Sequence, residues 1–331
     1  MKIELLPSEG QFYKANLHSH STLSDGNFTP EECKKFYKDK GYSVYAFTEH
    51  HKYFDLRKEL DDAEFITIPA YEAALNYDSD KTPFPALLNG PAPTIKEAEV
   101  IHLNMFAIDP DKTTGEVEVE DIKYHNAENI NELIRRAKEA GFFVEFNHPH
   151  WSLNVASLYN QLEGLDALEI VTGAAFRSSN LDYVPHVYRE LAWQGKRLVC
   201  LAGDDNHRPY HFYQAWTMIK APELTHKAIM EAIMKGNCYA STGPEIKELY
   251  VEDGVVHIKT SEAQGIYFST AGRRKEVSLM ADNNNVPVTE AKFNLRESDV
   301  FFHITVTDIN GKPANTRIYY LDEADFGIQK K

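Results

Sequence analysis

Six of the chain's fourteen histidines fall into short clusters flanked by acids, and these clusters recur along the first two-thirds of the sequence. In order they are His18-Ser19-His20 with Asp25 five residues on, Glu49-His50, Glu72, His102, His148-Pro149 and Asp205-Asn206-His207. Imidazole and carboxylate suit zinc, manganese or iron, and a donor set this large exceeds what one tetrahedral ion takes. The chemistry on offer is that of a polynuclear centre of divalent ions. No single local segment can wrap such a centre, so the fold has to bring the clusters together from distant parts of the chain.

Elements able to do this are legible around the clusters. Thr29 reads as an N-cap with Pro30 at N1 and Glu32 at N3, a capping box opening a helix that Gly41 closes. Val44–Thr48 reads as a strand leading into Glu49-His50. Ile130, Leu133, Ile134 and Ala137 form the apolar stripe of a second helix, which stops at Gly141 before the strand Phe142–Phe146 runs into Asn147-His148-Pro149. Phe65–Pro69, Val100–Leu103, Asp166–Val171 and Leu198–Ala202 are further strand candidates, and helices are expected over roughly 182–194 and 225–235. Strands alternating with helices over crossover-length connections predict an α/β fold with a parallel sheet closed, or nearly closed, into a barrel. Most clusters then collect at the carboxyl ends of the strands, with His102 an exception inside its own run. The proline-rich stretch from Ala74 to Glu99 reads as an insertion over the mouth of the site.

After about Pro244 the texture changes. Val255–Thr260, Gly265–Thr270, Val300–Val306 and Arg317–Leu321 are β-branched and aromatic, separated by turn signals at Asp253-Gly254, Asp282–Asn285 and Asn310-Gly311. Two domains are expected: residues 1–243 carrying every cluster, and residues 244–331 forming a small all-β, immunoglobulin-like sandwich. Its histidines, His257 and His303, read as ordinary half-buried strand residues.

Composition narrows the partners. With 50 acidic and 35 basic residues the net charge is -15, which repels a polyanionic backbone and excludes non-specific nucleic-acid binding. No apolar run reaches the length of a membrane span, and the first residues lack the apolar core of a signal peptide. Cys33, Cys200 and Cys238 are odd in number and scattered, which fits reduced core thiols and a cytoplasmic protein.

Each motif alone has an ordinary reading: Ser24-Asp25-Gly26 as a turn, Glu72 as a solvated carboxylate, His102 as a core histidine, Asp204–His207 as a polar loop. Their joint order does not. The run HSHSTLSDG, TEHH, AYE, IHLN, NHP and GDDNH resembles the polymerase and histidinol phosphatase (PHP) metallohydrolases over about residues 12–243. The resemblance implies a distorted seven-stranded βα barrel and up to three divalent ions. Their ligands would be His18, His20, Asp25, His50, Glu72, His102, His148, Asp205 and His207. Glu49, Ala70-Tyr71, Asp204 and Asn206 depart from the family pattern without removing a ligand, and Asp204 would add a carboxylate near the metals. The appended sandwich and the context of His102 are similar to a PHP subgroup that includes carbamate and aryl-ester hydrolases.

The expected activity is metal-dependent hydrolysis of a phosphate monoester of a small metabolite or nucleotide. Asp205 would bind metal and orient the attacking water, His207 or His150 would protonate the leaving group, and Arg177, ahead of Lys52 and Arg208, would clamp phosphate. Aromatic Tyr71, Phe84, Trp151 and Phe176 near the motifs leave room for a neutral ester, carbamate or amide. A metal-stabilised scaffold with a ligand-binding sandwich is the non-enzyme alternative.

Overall fold

The computed structural model describes residues 2–76, 100–118, 122, 126–280 and 286–328. Most of the expected insertion, Phe84 included, and the turn expected at 282–285 lie outside the described residues.

The chain begins with strands β1 (Lys2–Glu4) and β2 (Gln11–Asn16), helix α1 (Pro30–Lys38), β3 (Tyr42–Phe47), a short α2 (Arg57–Leu60) and β4 (Ile66–Asn76). It continues through β5 (Val100–Ala107), α3 (Ala127–Glu139), β6 (Phe142–Phe146), a short α4 (Ala156–Tyr159), β7 (Ala167–Thr172), α5 (Gly173–Ser179), α6 (Pro185–Trp193) and β8 (Val199–Gly203). Strand β9 (Trp216–Ala221), α7 (His226–Met234) and β10 (Cys238–Ser241) complete this part. Thereafter come β11 (Ile246–Glu252), β12 (Val255–Ala263), β13 (Gly265–Thr270), β14 (Lys275–Leu279), β15 (Val288–Asn294), β16 (Phe301–Thr307), β17 (Pro313–Thr316) and β18 (Tyr319–Tyr320).

Local chemistry accounts for the helices. At α1 the Thr29 hydroxyl accepts from Glu32 N while the Glu32 carboxylate accepts from Thr29 N, the reciprocal cap read in the sequence. Its inner face buries Cys33 and Tyr37. Helix α3 buries Ile130, Leu133, Ile134 and Ala137, one stripe at helical spacing. Strand β3 is buried on both faces: Val44 and Ala46 pack with Ile68 and Leu201, while Tyr45 and Phe47 pack with Cys33 and Tyr37.

The fold is mixed α/β, organised on one large sheet in the order β14-β13-β16-β17-β10-β9-β2-β3-β4-β5-β6-β7-β8, with a second sheet β1-β11-β12-β15. The expectation of parallel pairing throughout is corrected. Pairs β2–β3, β3–β4, β6–β7 and β7–β8 are parallel, whereas β5 runs antiparallel to both β4 and β6, and β9 runs antiparallel to β2. Strand β4 is also longer than expected and takes in Ala74, so Glu72 is a strand residue. Two pairings cross the expected 243/244 boundary: β1 joins β11, and β10 joins β17.

The ends of the β2–β8 run meet just beyond their last residues. Asp205 N donates to His18 O (2.8 Å), His20 N donates to Asn206 O (3.3 Å), and Asp204 N donates to Asn16 Oδ1 (2.8 Å). Gly203 permits this approach, since a Cβ there would lie 2.5 Å from His18 Cβ and 2.6 Å from its backbone nitrogen. Gly203→Ala should therefore destabilise the chain by about 1–3 kcal/mol in denaturant unfolding, through overpacking against backbone. At Gly272 an added Cβ would meet only Thr270 Oγ1, at 4.0 Å, so Gly272→Ala should fall within about 0.5 kcal/mol. Equal effects at the two positions would show that the contact at Gly203 relaxes freely.

Candidate metal centre

The nine expected ligands converge on one place, and Glu72 is its hub. Its Oε1 lies 2.9 Å from His102 Nδ1, 3.3 Å from His18 Nε2 and 3.3 Å from His148 Nε2. Its Oε2 lies 3.0 Å from His50 Nδ1 and 3.5 Å from His20 Nε2. Asp205 Oδ1 is 3.2 Å from His20 Nε2, 3.5 Å from His18 Nε2 and 3.5 Å from His207 Nδ1. Asp25 closes the outer side, 3.3 Å from His207 Nε2, 3.7 Å from His50 Nε2 and 3.8 Å from His20 Nδ1. Donor atoms gather as three overlapping groups: His18, Glu72 and His148; His18, His20 and Asp205; His20, Asp25, His50 and His207.

The strands explain the convergence. His18 and His20 follow β2, His50 follows β3, and His148 and Asp205 follow β6 and β8. Since β5 is reversed, His102 near its start stands opposite Ala74 at the far end of β4, on the same edge as the others. The position that looked exceptional in sequence is thus the regular one for an antiparallel strand. Asp205 reaches inward from a left-handed backbone (φ 50°), which turns it away from the direction of its neighbours Asp204 and Asn206.

Those neighbours do not face the cluster, and the expectation that Asp204 adds charge there is corrected. Its carboxylate accepts from Tyr37 Oη (2.7 Å) and from the backbone nitrogens of Tyr213, Gln214 and Ala215 (2.6–2.9 Å). Asn206 Oδ1 accepts from Asn16 Nδ2, Tyr37 Oη and Tyr45 Oη. Both side chains anchor the loop from behind.

Two carboxylates outside the donor groups orient the candidate ligands: Glu169, which no motif singled out, and Glu49, which the sequence sets beside His50. Glu169, buried on β7, sits 3.0 Å from His18 Nδ1 and accepts from Thr172 Oγ1 and from His148 N. It fixes the His18 tautomer and leaves Nε2 for the cluster. Glu49 accepts from Ser21 N, Ser21 Oγ and Ser24 Oγ, holding the turn that carries His20 and Asp25. Each stands next to or within a strand feeding the site, but an acid in an apolar strand is a signal only once the ligands are placed.

The electrostatics call for cations. Burial opposes ionisation of Glu72, yet His102 and His18 hold it well below the usual carboxylate range. Burial also opposes Asp25, which His207, His20 and His50 bring down to about 2, and it opposes protonation of His207, which Asp25 and Asp205 raise to about 9. Burial, with Glu169 nearby, pushes the Glu145 carboxyl up. Among the described residues no lysine or arginine pairs with Asp25, Glu49, Glu72, Glu145, Glu169 or Asp205. Buried ions lacking partners are penalised by several kcal/mol each. His18 Nε2 and both ring nitrogens of His20 are buried without a hydrogen-bond partner. Orphaned imidazole nitrogens facing shared carboxylates fit divalent metal ions.

The expected non-ligand residues are not among the three donor groups. Arg177 is exposed in the last turn of α5 and makes no hydrogen bond or ion pair among the described residues. Lys52 and Arg208 are also exposed. His150 faces His186, with 3.1 Å between their Nε2 atoms. Trp151, an aromatic near the motifs in sequence, packs its ring 5.1 Å from His148 and 5.8 Å from His102 while remaining 49% exposed. Asp182 pins this loop by accepting from His150 N and Trp151 N.

Glu169→Gln keeps the size of the side chain but removes the charge behind His18. Metal retained after dialysis against a graded chelator should fall by about 10- to 100-fold in affinity, with the circular dichroism spectrum unchanged. Unaltered retention would mean that Glu169 merely packs.

No family model matches the sequence, and no curated protein is similar to it. Among solved structures, the chain is similar to a two-domain protein from Bacteroides vulgatus containing a predicted PHP-like metal-dependent phosphoesterase, at 14% identity and a TM-score of 0.47, covering 96% of this chain and 97% of that one. It is similar to a protein from Bifidobacterium adolescentis named as a candidate metal-dependent phosphoesterase, at 14% identity and a TM-score of 0.35, over 61% of this chain and 89% of that one. PsfC from Pseudomonas syringae is similar at 13% identity and a TM-score of 0.40, over 67% of this chain and 87% of that one.

Proposed function

We propose that the chain is a PHP-type metallohydrolase: a distorted βα barrel with an immunoglobulin-like sandwich appended, cutting a phosphate monoester of a small molecule. The observation that carries this reading is the abutment of three donor groups around Glu72 with, among the described residues, no lysine or arginine paired to their carboxylates. His18, His20, Asp25, His50, Glu72, His102, His148, Asp205 and His207 would hold two or three divalent ions of zinc, manganese or iron. Such ions supply Lewis acidity and a hydroxide nucleophile at neutral pH. Adjacent positions suit a group that offers several oxygens at once, as phosphate does. Asp205, inward on its left-handed backbone, orients the attacking water. Trp151 and the loop pinned by Asp182 shield one side of the cluster from solvent. His207, at the partly open side, or His150 delivers a proton to the leaving group, and Arg177 takes a phosphate oxygen when substrate is bound.

A second reading, hydrolysis of a neutral aryl ester, is favoured by one observation: the exposed ring of Trp151 lies against two ligand imidazoles and offers an apolar face where a leaving group would sit.

A hydrolysis panel of phosphate monoesters, phosphodiesters and aryl esters, on protein of measured metal content, decides between them. Phosphate monoesters should turn over fastest, and His20→Ala or Asp205→Ala should abolish turnover while the fold survives. A folded, metal-replete protein inert to the whole panel would sink the enzyme reading. Arg177→Ala should weaken kcat/KM for phosphate esters by about 1.5–3 kcal/mol and leave neutral aryl esters nearly unchanged. Trp151→Ala should raise KM for aromatic leaving groups by about two- to tenfold and spare alkyl ones. Equal losses on both members of either pair would make that residue structural.

A further inference from the structure

A groove of about 820 Å³ runs between α6 and the turn joining β13 to β14, lined by His186, Arg189, Glu190, Trp193, Arg273 and Lys275 among others. It is positively charged in a chain whose net charge is -15. Many basic side chains of this protein pair with acids, as Lys34 and Lys38 do with Asp62, and as Arg274 does with Asp299. Arg189, Arg273 and Lys275 make no ion pair among the described residues. The one acid in the lining, Glu190, is engaged by the Tyr159 hydroxyl at 2.5 Å.

The cations are held rather than splayed into solvent at one point at least. Arg189 Nη2 donates to Thr270 O (2.9 Å), its guanidinium lies 5.3 Å from the Trp193 ring, and Trp193 Nε1 donates to Ala271 O (2.8 Å). These bonds tie α6 to the β13–β14 turn, so the groove is a joint product of the metal-bearing part and the C-terminal strands. Helix α6 has no side-chain cap and no acid in its first turn, leaving its positive end unneutralised. Nearby on β16, burial, with the cations Arg189 and Lys275 adding to it, pushes the His303 imidazole down to about 3. His186 in the lining touches His150, two residues after His148 in the chain.

We infer that this groove binds a phosphate-type anion. The anion is either a distal phosphate of the substrate or a separate phosphorylated effector, and planar guanidinium and ammonium donors that outnumber the one lining carboxylate are the chemistry that recognises it. The first alternative rests on the function proposed above; anion binding itself does not.

Propane-1,3-diol bisphosphate serves as the probe, titrated calorimetrically into the metal-replete protein, the double variant Arg273→Glu with Lys275→Glu, the milder Arg273→Ala with Lys275→Ala, and His20→Ala. The His20→Ala chain should bind within about twofold of the unaltered protein, whereas charge reversal should weaken binding by at least about tenfold at unchanged Tm, and the alanine pair by less. Binding lost in His20→Ala but kept in both groove variants would place the anion on the metal cluster and overturn the inference, as would no binding to the unaltered protein. The two sources separate in kinetics. A higher KM for bisphosphates, with p-nitrophenyl phosphate unaffected, marks a substrate tail. An effect of added probe on p-nitrophenyl phosphate turnover that disappears in the charge-reversed variant marks an effector. If nothing is turned over, the proposed function fails, while the calorimetry still judges the groove.

Discussion

A buried carboxylate surrounded by imidazoles governs this structure. Glu72 lies inside β4, removed from water, and stays ionised because five histidines and the Asn147 amide converge on it. Imidazole is a weak compensator: it neutralises a carboxylate only by taking up a proton, and five rings crowded together cannot all do so. The acids behind and beside them deepen the deficit, and among the described residues Asp205, Glu169 and Glu145 find no lysine or arginine. Divalent ions resolve this charge balance, which is why the site fits metal better than it fits a set of structural ion pairs.

Everything that positions the cluster follows from bringing strand ends to one edge. Parallel strands deliver His50, His148 and Asp205 just past their last residues, while the reversed β5 delivers His102 from near its first. Closure relies on the bridge between residues 18–20 and 204–206, which the missing side chain at Gly203 allows. A tier of polar groups then holds four of the candidate ligands: Glu169 behind His18, Ser152 beside His148, Glu49 beneath the turn of Asp25, Asp204 behind Asp205. Precision at the centre thus comes from hydrogen bonds made outside it.

The C-terminal strands are joined to this machinery through backbone. Strand β17 extends the large sheet beyond β10, and β1, the first strand of the chain, belongs to the opposite sheet. A boundary drawn from texture alone therefore separates segments that share ladders. The groove along α6 lies at this junction, built from both parts.

The sequence alone determined what depends on residue type and short-range spacing. His-x-His, the acids near each histidine and the capping box at Thr29 are local patterns, and each is found intact; Cys33, Cys200 and Cys238 are buried free thiols. Tertiary structure decided what depends on direction and on facing. Strand polarity leaves no trace in composition, so the antiparallel course of β5 and with it the regularity of His102 were not legible. Nor was the outward turn of Asp204, since a single positive φ at Asp205 reverses which of two adjacent carboxylates meets the cluster. Glu169 itself, and the bracing role of Glu49, were hidden for a related reason. A buried acid in a strand looks the same in sequence whether it binds, braces or merely packs, and only the partners that the fold sets against it decide which.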